Sequence, residues 1–396
     1  MRYRFKKHPS KLATLMITFG AGARVEHKTE YPAGIAHYME HVRFKGTDER
    51  SAKDLLRITA DAGGSWNAFT SNNLVVYYMS IPEENLETAF DCLSDVVLRP
   101  AFPQDELTKE QNVVCQEIRM YDDQIDHLVD KRLNELVFNN SMAVPIMGSE
   151  ESVRSITQQH LIDFNKEFYS KEHMLVTLGA NGDHEHLVEK YFGIPDDILL
   201  FAPEEQNVHY NDPVDDKVYK EAQLQDSILI CFGGQSIREL ESKHRAATKV
   251  FSTIFDNEQT SRLWMKVRED LGLVYDIGGY LSHQMDGSIY EIYASTEPKN
   301  TNLLIESVNK EIENILRSNP TEREVSRAKN MIKSRFYGSL DSSDGVVQQV
   351  LGEEFMNFAT ASEFLAEIKQ VTADDVNKIA KKIFNNNRYT VIGTGK

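Results

Sequence analysis

The pattern of apolar and polar positions along the chain switches repeatedly between strand-like and helix-like stretches. NLVVYYMSIP (residues 73–82) and SIYEIYAST (288–296) are rich in β-branched and aromatic residues, which predicts strands. In DELTKEQNVVCQEIRMYDD (105–123), Leu107, Val114 and Ile118 recur at helical spacing, which predicts a helix. Strands closed by short turns and followed by helices favour antiparallel sheets with helices packed on a face, an α+β fold.

The same pattern occurs twice along the chain. ITFGAG (17–22) resembles ICFGGQ (230–235), and Phe232 follows Phe19 by 232 − 19 = 213 positions. TQQHLIDFNKEFYSKEHMLVTLGA (157–180) resembles TADDVNKIAKKIFNNNRYTVIGTG (372–395), an offset of 372 − 157 = 215 positions. Chance similarity of common helix–strand patterns could explain one match, but it explains two at nearly one offset less well. The repeat predicts two copies of one domain.

The length of 396 residues also favours two domains, since single hydrophobic cores rarely grow beyond this size. FAPEEQNVHYNDPVDDK (201–217) is rich in Pro, Asn, Asp and Glu, as exposed linkers are. We predict a first domain at residues 1–203, a linker at 204–217 and a second domain at 218–396.

Composition narrows the class of protein. The chain is 41% hydrophobic and 27% charged, which is typical of globular proteins, and its net charge of −17 argues against a nucleic-acid surface. Cys92, Cys115 and Cys231 are widely spaced among apolar neighbours, so we expect buried thiols in a reducing compartment. The basic, then apolar N-terminus (1–22) predicts a strand, neither a signal peptide nor a membrane span, and the protein is expected to be cytoplasmic.

The stretch GIAHYMEHVRFKGT (34–47) carries candidate metal chemistry. In a helix that starts near Pro32, His37 and His41 lie one turn apart on one face, with Glu40 beside them. Two neutral imidazoles at that spacing can reach one zinc ion, and the carboxylate can take a proton from an attacking water. This HxxEH order is the inverse of HExxH and is a zinc-peptidase signature. A solvated helix face is the alternative, because a chance HxxEH among twelve histidines has a probability of roughly a few per cent.

A catalytic zinc site needs a third protein ligand and an open fourth position. Glu110 and Glu117 are two helical turns apart, so they share a face of the predicted helix. Glutamates on a helix are usually solvated, but Glu117 lies in an apolar stretch beside Val114 and Ile118. By contrast, the i, i+2 spacing of His184 and His186 predicts two surface residues.

These motifs together resemble the pitrilysin, or insulinase-like, zinc peptidases of family M16. That family has HxxEH followed by a glutamate about 76 residues later, and here the step from His41 to Glu117 is 117 − 41 = 76. The segments PAGIAHYMEHVRFKGT, GGSWNAFTSNNLVVYY and VVCQEIRMYDD match as well. The resemblance implies that His37, His41 and Glu117 bind one Zn²⁺ per chain and that Glu40 is the general base.

The resemblance also implies roles for residues around the metal. Glu110 matches a second, supporting glutamate. Asn67, Ala68, Phe69 and Thr70 match an exposed edge strand that a substrate peptide joins by β-addition, although an ordinary turn-flanked strand is the alternative. Arg43 stands where a smaller or apolar residue is usual; it is expected to lower metal affinity or to bind an acidic partner.

The second half of the chain has no HxxEH, and position 250 (37 + 213) falls in an apolar helical stretch, so we expect this copy to lack metal binding. It carries SRLWMKVREDLGLVYDIG instead, in which Arg268 and Tyr275 match a family pair that holds the substrate and assists at the scissile carbonyl. From the residues alone, REDLGLVY reads as a helix end capped by Gly272.

The resemblance therefore implies two homologous α/β-sandwich domains, each an antiparallel sheet packed with helices, that enclose a chamber. The expected function is endopeptidase cleavage of peptides or unfolded segments by a homodimer, or by a self-sufficient monomer, without nucleic acid or membrane. A noncatalytic peptide-binding or assembly subunit is the rival hypothesis, although such subunits usually lose a zinc ligand and none is lost here.

Overall fold

A computed structural model describes residues 1–28, 31–196, 211–220, 225–234, 242–283, 288–355, 359–385 and 387–395. Its strands are β1 Arg2–Lys7, β2 Leu12–Phe19, β3 Ser65–Thr70, β4 Val75–Pro82, β5 Met174–Ala180, β6 Asp215–Lys220, β7 Asp226–Gly234, β8 Val274–His283, β9 Ser288–Thr296 and β10 Arg388–Gly395.

The α-helices are α1 Ile35–Arg43, α2 Ala52–Asp61, α3 Leu86–Leu98, α4 Gln104–Asp122, α5 Ile125–Val137, α6 Glu150–Ser155, α7 Gln158–Phe168, α8 Glu185–Phe192, α9 Ser242–Phe255, α10 Thr301–Arg317, α11 Glu322–Ser339, α12 Ser343–Phe355, α13 Ala361–Gln370 and α14 Ala373–Phe384. A π-helical segment spans Trp264–Asp270, and short 3₁₀ segments join several elements, including Ala23–Lys28 before α1.

Unit 1 is built around a five-stranded sheet with the order β1-β5-β2-β4-β3 in the described part of the chain. Alternate residues of β2 face opposite sides of this sheet, as the two-residue period of a strand requires. Leu15, Ile17 and Phe19 pack into the large core under the helices, whereas Met16 packs on the other face against Val347 of α12. Both faces of the sheet are therefore covered.

Unit 2 repeats this arrangement, with the strand order β6-β10-β7-β9-β8 among the described residues. Ile228, Ile230 and Phe232 of β7 pack into the main core of the unit, and the intervening Leu229 and Cys231 pack on the opposite face against α5. The two sheets share one topology, which supports the duplication that the sequence predicted.

Aromatic residues at repeat-related positions make corresponding contacts. The rings of Phe19 and Tyr169 lie 4.6 Å apart in unit 1, and those of Phe232 and Phe384 lie 4.9 Å apart in unit 2. Phe384 follows Tyr169 by 384 − 169 = 215 positions, the offset found for the second sequence match. The repeat therefore extends from the sequence pattern into the packing of the core.

The sheets are mixed, and the prediction of purely antiparallel sheets is wrong in this detail. β1 pairs with β5 in parallel, and β6 pairs with β10 in parallel, while the other neighbours are antiparallel. A parallel pair requires a long crossover connection. In each unit the first strand pairs with the last, so the connection between the two parallel strands contains most of the domain. The α+β class and the pair of sheet-and-helix domains are confirmed.

The compact units differ from the sequence halves in two segments. Unit 1 comprises Met1–Arg119, Val144–Glu204 and Ser339–Met356, and unit 2 comprises Met120–Ala143, Glu205–Gly338 and Asn357–Lys396. Each half of the chain thus contributes a helix, α5 or α12, to the unit built mainly by the other half. Residues 204–210 of the predicted linker (204–217) lie outside the described residues. Its last three residues, 215–217, belong to β6.

Helix α12 is held in unit 1 by charges as well as by apolar contacts. Glu354 accepts from Arg2 Nη1 at 2.6 Å and from Arg4 Nε at 2.5 Å, and Lys6 Nζ lies 3.2 Å from Glu353. The three cations alternate along β1 and therefore project from the same face of the strand. The polar rim of the α12 contact is thus supplied by the edge strand.

The three cysteines are buried free thiols, as predicted. Burial raises the pKa of Cys231 well above its ordinary value. None of the helices in the described part of the chain combines the length and apolar character that a membrane crossing requires.

The exchanged helix leads to a stability prediction. Val347→Asp places a charge without a partner in the fully buried contact between α12 and the sheet of unit 1, so we expect a loss of about 3 kcal/mol or more. Hydrogen exchange should then increase in β2 and β5, which lie far away in sequence. Gln348→Asp, at a half-exposed position, should leave exchange unchanged. Increased exchange confined to β7 and β10 would contradict the assignment of α12 to unit 1.

Candidate metal centre

The N-terminus of α1 is held by a buried carboxylate. Glu26 accepts hydrogen bonds from the backbone N–H groups of Gly34 at 2.9 Å and Ala36 at 2.8 Å. Burial raises the pKa of Glu26 to about 8, although these two hydrogen bonds lower it. Gly34 has φ of 89°, and a Cβ there would lie 2.4 Å from the carbonyl oxygen of Met147, so only glycine fits.

The C-terminus of α1 is held by Arg43, which is fully buried. Its guanidinium donates to the carbonyl oxygens of Val96 at 3.3 Å and Val97 at 2.8 Å, and to Asn165 Oδ1. It also stacks 3.7 Å from the ring centroid of Tyr169. The expectation that Arg43 binds an acidic partner is wrong, because this guanidinium is buried and satisfies the end of α3.

Between these anchors, α1 presents both histidines to α4. The rings of His37 and His41 lie 4.6 Å apart. Glu117 Oε2 lies 3.9 Å from His37 Nε2 and 3.3 Å from His41 Nε2. One ligand atom from each of the three residues falls within 4.8 Å of the other two, and no other such group of His, Cys, Asp and Glu occurs among the described residues.

Glu110 lies one layer behind the three candidate ligands. Its carboxylate accepts from His41 Nδ1 at 3.0 Å on one oxygen and pairs with Lys45 Nζ at 2.7 Å on the other. A histidine that donates through Nδ1 keeps the lone pair of Nε2 for a metal, and such carboxylates commonly orient metal-binding histidines. Glu110 is thus placed where it can orient the His41 ring.

The electrostatics of the three residues suit a divalent cation. Burial, and then the charge of His41, lower the pKa of His37 to about 4, so its imidazole is neutral near pH 7. Burial alone would lower the pKa of His41, but hydrogen bonds to Glu110 and Glu117 and nearby carboxylate charge raise it to about 9. Without a metal the His41 ring is therefore protonated at both nitrogens near pH 7, and a bound metal would take the place of the Nε2 proton. The hydrogen bond from His41 lowers the pKa of Glu117, which favours its carboxylate form. Two imidazoles and one carboxylate form a donor set for zinc with a position left open, so these residues fit the metal.

Glu40 lies on α1 beside the histidines and is half-buried. Its Oε2 accepts a hydrogen bond of 2.5 Å from Thr70 Oγ1 at the end of β3. Burial raises the pKa of Glu40, while the Thr70 hydrogen bond and the charge of His41 lower it. A carboxylate whose pKa is shifted upward towards neutrality is suited to proton transfer.

The predicted substrate strand is the edge of the unit 1 sheet. β3 pairs with β4 on one side and has no strand on its other side in the described part of the chain. Asn67 is exposed, whereas Phe69 packs partly against the core that α12 closes. Ala68 and Thr70 are half-buried. The strand therefore offers an unpaired backbone edge next to Glu40.

Arg268 and Tyr275 come together in unit 2. The Arg268 guanidinium carbon lies 5.0 Å from the ring centroid of Tyr275 and 4.3 Å from that of Trp264. Arg268 lies in the π-helical segment, which ends at Asp270. Gly272 follows with φ of 61°, and its N–H donates to the carbonyl oxygen of Arg268, as a glycine that caps a helix end does. β8 has a register shift between Val274 and Ile277, and Tyr275, which lies within it, is 83% exposed.

The position in unit 2 that corresponds to His37 is Val250, which is fully buried in α9. The second copy therefore carries an apolar core residue in place of a ligand, as expected. His184 pairs with Glu83 at 3.0 Å and His186 is exposed, which agrees with their predicted place at the surface.

The sequence did not reveal the contacts by which three residues hold the site: Glu26, Lys45 and Thr70. Lys45 lies beyond the end of α1, and its pairing with Glu110 of α4 depends on tertiary packing, so helical spacing gave no signal for it. The sequence places Thr70 in the edge strand only. Its partner Glu40 lies 30 positions earlier in the chain, so no local pattern links the two residues. Glu26 precedes α1 in a 3₁₀ segment, and no local pattern marks it as the partner of that helix.

Comparison with known proteins agrees with this site and fold. A profile described as "Insulinase (Peptidase family M16)" matches residues 5–150, and one described as "Peptidase M16 inactive domain" matches residues 155–332. An uncharacterized zinc protease of Mycobacterium bovis is 30% identical over 384 residues, covering 94% of this chain and 86% of that protein. An uncharacterized zinc protease of Rickettsia bellii is 29% identical over 379 residues, covering 94% and 89%. The chain belongs to the M16 family of peptidases, which confirms the predicted resemblance.

Solved structures show the same fold. A protein from Pseudomonas fluorescens, described as a peptidase M16 inactive domain, matches with a TM-score of 0.88 at 18% identity, covering 99% of this chain and 95% of that chain. A protease from Helicobacter pylori matches with a TM-score of 0.87 at 18% identity, covering 98% and 96%. At this identity the likeness is one of architecture.

The contacts of Glu110 lead to a prediction about metal affinity. Glu110→Ala removes the acceptor that orients His41, so we expect zinc affinity to fall by about 10- to 100-fold. Chelator competition on the purified protein measures this change. Glu106→Ala is the matched control, because Glu106 lies one turn earlier on α4 and pairs only with Lys109 among the contacts described. Equal zinc affinity in the two variants would contradict the role given to Glu110.

Proposed function

We propose that the protein is a zinc-dependent endopeptidase that cleaves peptides or unfolded segments. The convergence of His37 Nε2, His41 Nε2 and Glu117 Oε2, with Glu40 beside them, is the observation that carries the proposal. Membership of the M16 family supports peptide as the substrate class. The zinc-protease names of relatives support zinc as the metal.

In this proposal His37, His41 and Glu117 hold the metal. Zn²⁺ in that position would supply Lewis-acid chemistry that polarises the scissile carbonyl and acidifies water. Glu40 accepts the proton of the attacking water and passes it to the leaving amine. The Thr70 hydrogen bond takes one lone pair of Glu40 Oε2, and Oε1 has no hydrogen bond among the contacts described.

We propose that the substrate backbone pairs with the free edge of β3, where Asn67, Ala68, Phe69 and Thr70 offer backbone groups. Tyr275 and Arg268 would hold the substrate main chain or stabilise the developing oxyanion. The exposure of Tyr275 and its contact with Arg268 support a role in binding.

The remaining features are proposed from the sequence. One zinc per chain, a chamber enclosed by the two units, and a homodimer or self-sufficient monomer rest on the family resemblance. A cytoplasmic location rests on the cysteines and the N-terminal segment. The chain contains both the ligand set and the Arg268–Tyr275 pair, which favours activity without a second kind of subunit. Light scattering of the purified protein would distinguish a dimer from a monomer.

The general base provides the most direct test of the activity. Glu40→Gln keeps the shape of the side chain but removes the proton acceptor, so kcat should fall by about 100- to 10,000-fold with zinc content unchanged. Mass spectrometry of products from a mixed peptide library measures the cleavage, and metal analysis measures zinc. A chelator should abolish the wild-type cleavage.

Unchanged turnover in Glu40→Gln would contradict the role of Glu40. Stoichiometric zinc in the wild type with no cleavage of any peptide in the library would contradict the endopeptidase proposal. That second outcome would favour a noncatalytic peptide-binding subunit.

A further inference from the structure

The hydroxyl of Thr70 links the edge strand to the side chain proposed as the base. Thr70 is the last residue of β3, and its Oγ1 donates to Glu40 Oε2 at 2.5 Å. This separation is at the short end of the range for a hydroxyl that donates to an ionised carboxylate. The bond therefore fixes the orientation of the Glu40 carboxylate plane.

No second partner restrains Glu40 among the described residues. Its other neighbours, His41 and Glu117, act on it through charge. Without the Thr70 hydroxyl, the glutamate side chain could rotate about its χ angles within the half-buried space next to α1. A small misplacement of a reacting group can cost about 100-fold in rate.

The position of Thr70 also connects substrate binding to this orientation. A peptide that pairs with β3 would order the strand whose last residue holds Glu40. The register β3–β4 places Thr70 opposite Val75, so its backbone is fixed from the sheet side. One hydrogen bond therefore connects the edge strand to Glu40.

We propose that Thr70 is a positioning residue for the reaction: its hydroxyl orients Glu40 and couples occupation of the β3 edge to the alignment of the base. This inference rests on the proposed peptidase function. It assigns the Thr70 side chain a role distinct from that of the strand backbone, which would bind the peptide.

Two substitutions separate the hydroxyl from the shape of the side chain. Thr70→Val keeps the branched shape and favours a strand, but it removes the donor; we expect kcat to fall by about 10- to 100-fold with KM nearly unchanged. Thr70→Ser keeps the donor and should restore most of kcat. Zinc affinity, thermal stability, and peptide affinity measured in the presence of a chelator should match the wild type in both variants.

A double-mutant cycle with Glu40→Gln shows whether Thr70 acts through Glu40. In the Glu40→Gln background, Thr70→Val should have little further effect on the residual rate, because its target is already lost. Additive losses of rate would overturn the inference.

The other outcomes are equally distinct. A raised KM with unchanged kcat in Thr70→Val would overturn the inference and leave only a substrate-binding role. A Thr70→Ser variant as impaired as Thr70→Val would show that the methyl group matters, and would also overturn it. An active wild type with fully active Thr70→Val defeats this inference alone, whereas an inactive zinc-loaded wild type defeats the proposed function and this inference together.

Discussion

Buried polar contacts at both ends of α1 fix the direction in which its functional side chains point. The carboxylate of Glu26 holds the first N–H groups of the helix, and the guanidinium of Arg43 joins its last turn to the carbonyl end of α3. Buried polar groups are costly when they lose their partners, so this arrangement resists rotation or sliding of the helix. The meeting of His37 and His41 with Glu117 depends on that restraint, because the third ligand comes from a separate helix.

The two units share one fold but differ at the positions of the candidate metal ligands. Both have the same strand order and related aromatic contacts, but the position of His37 is taken by Val250 in unit 2. The position of Arg43 is taken by Asp256 (43 + 213 = 256), which is buried and bonded to Ser252 and Tyr290. Burial raises the pKa of Asp256 well above its ordinary value. The end of this helix thus carries a buried polar side chain in both units, a basic one (Arg43) in unit 1 and an acidic one (Asp256) in unit 2.

Local periodicity was sufficient to predict part of this protein. Two spacings are visible within a short stretch of sequence: one helical turn between His37 and His41, and two turns between Glu110 and Glu117. The repeat at offsets of 213 and 215 is visible when two stretches of the sequence are compared. The parallel pairing of β1 with β5 was missed, since alternation of side chains is the same in parallel and antiparallel strands. The placement of α5 and α12 was also missed, because an amphipathic pattern predicts a buried face without identifying the sheet that covers it. The Thr70 contact and the burial of Arg43 depend on tertiary packing in the same way.

The central claim is that α1 and α4 together form one metal site from His37, His41 and Glu117. Anomalous X-ray diffraction from crystals of the zinc-loaded protein, recorded on both sides of the zinc absorption edge, tests it most directly. We predict one strong zinc peak per chain within bonding distance, about 2.0–2.2 Å, of His37 Nε2, His41 Nε2 and a Glu117 oxygen. Zinc located at other residues, or crystals with no peak between these three side chains at saturating zinc, would contradict it.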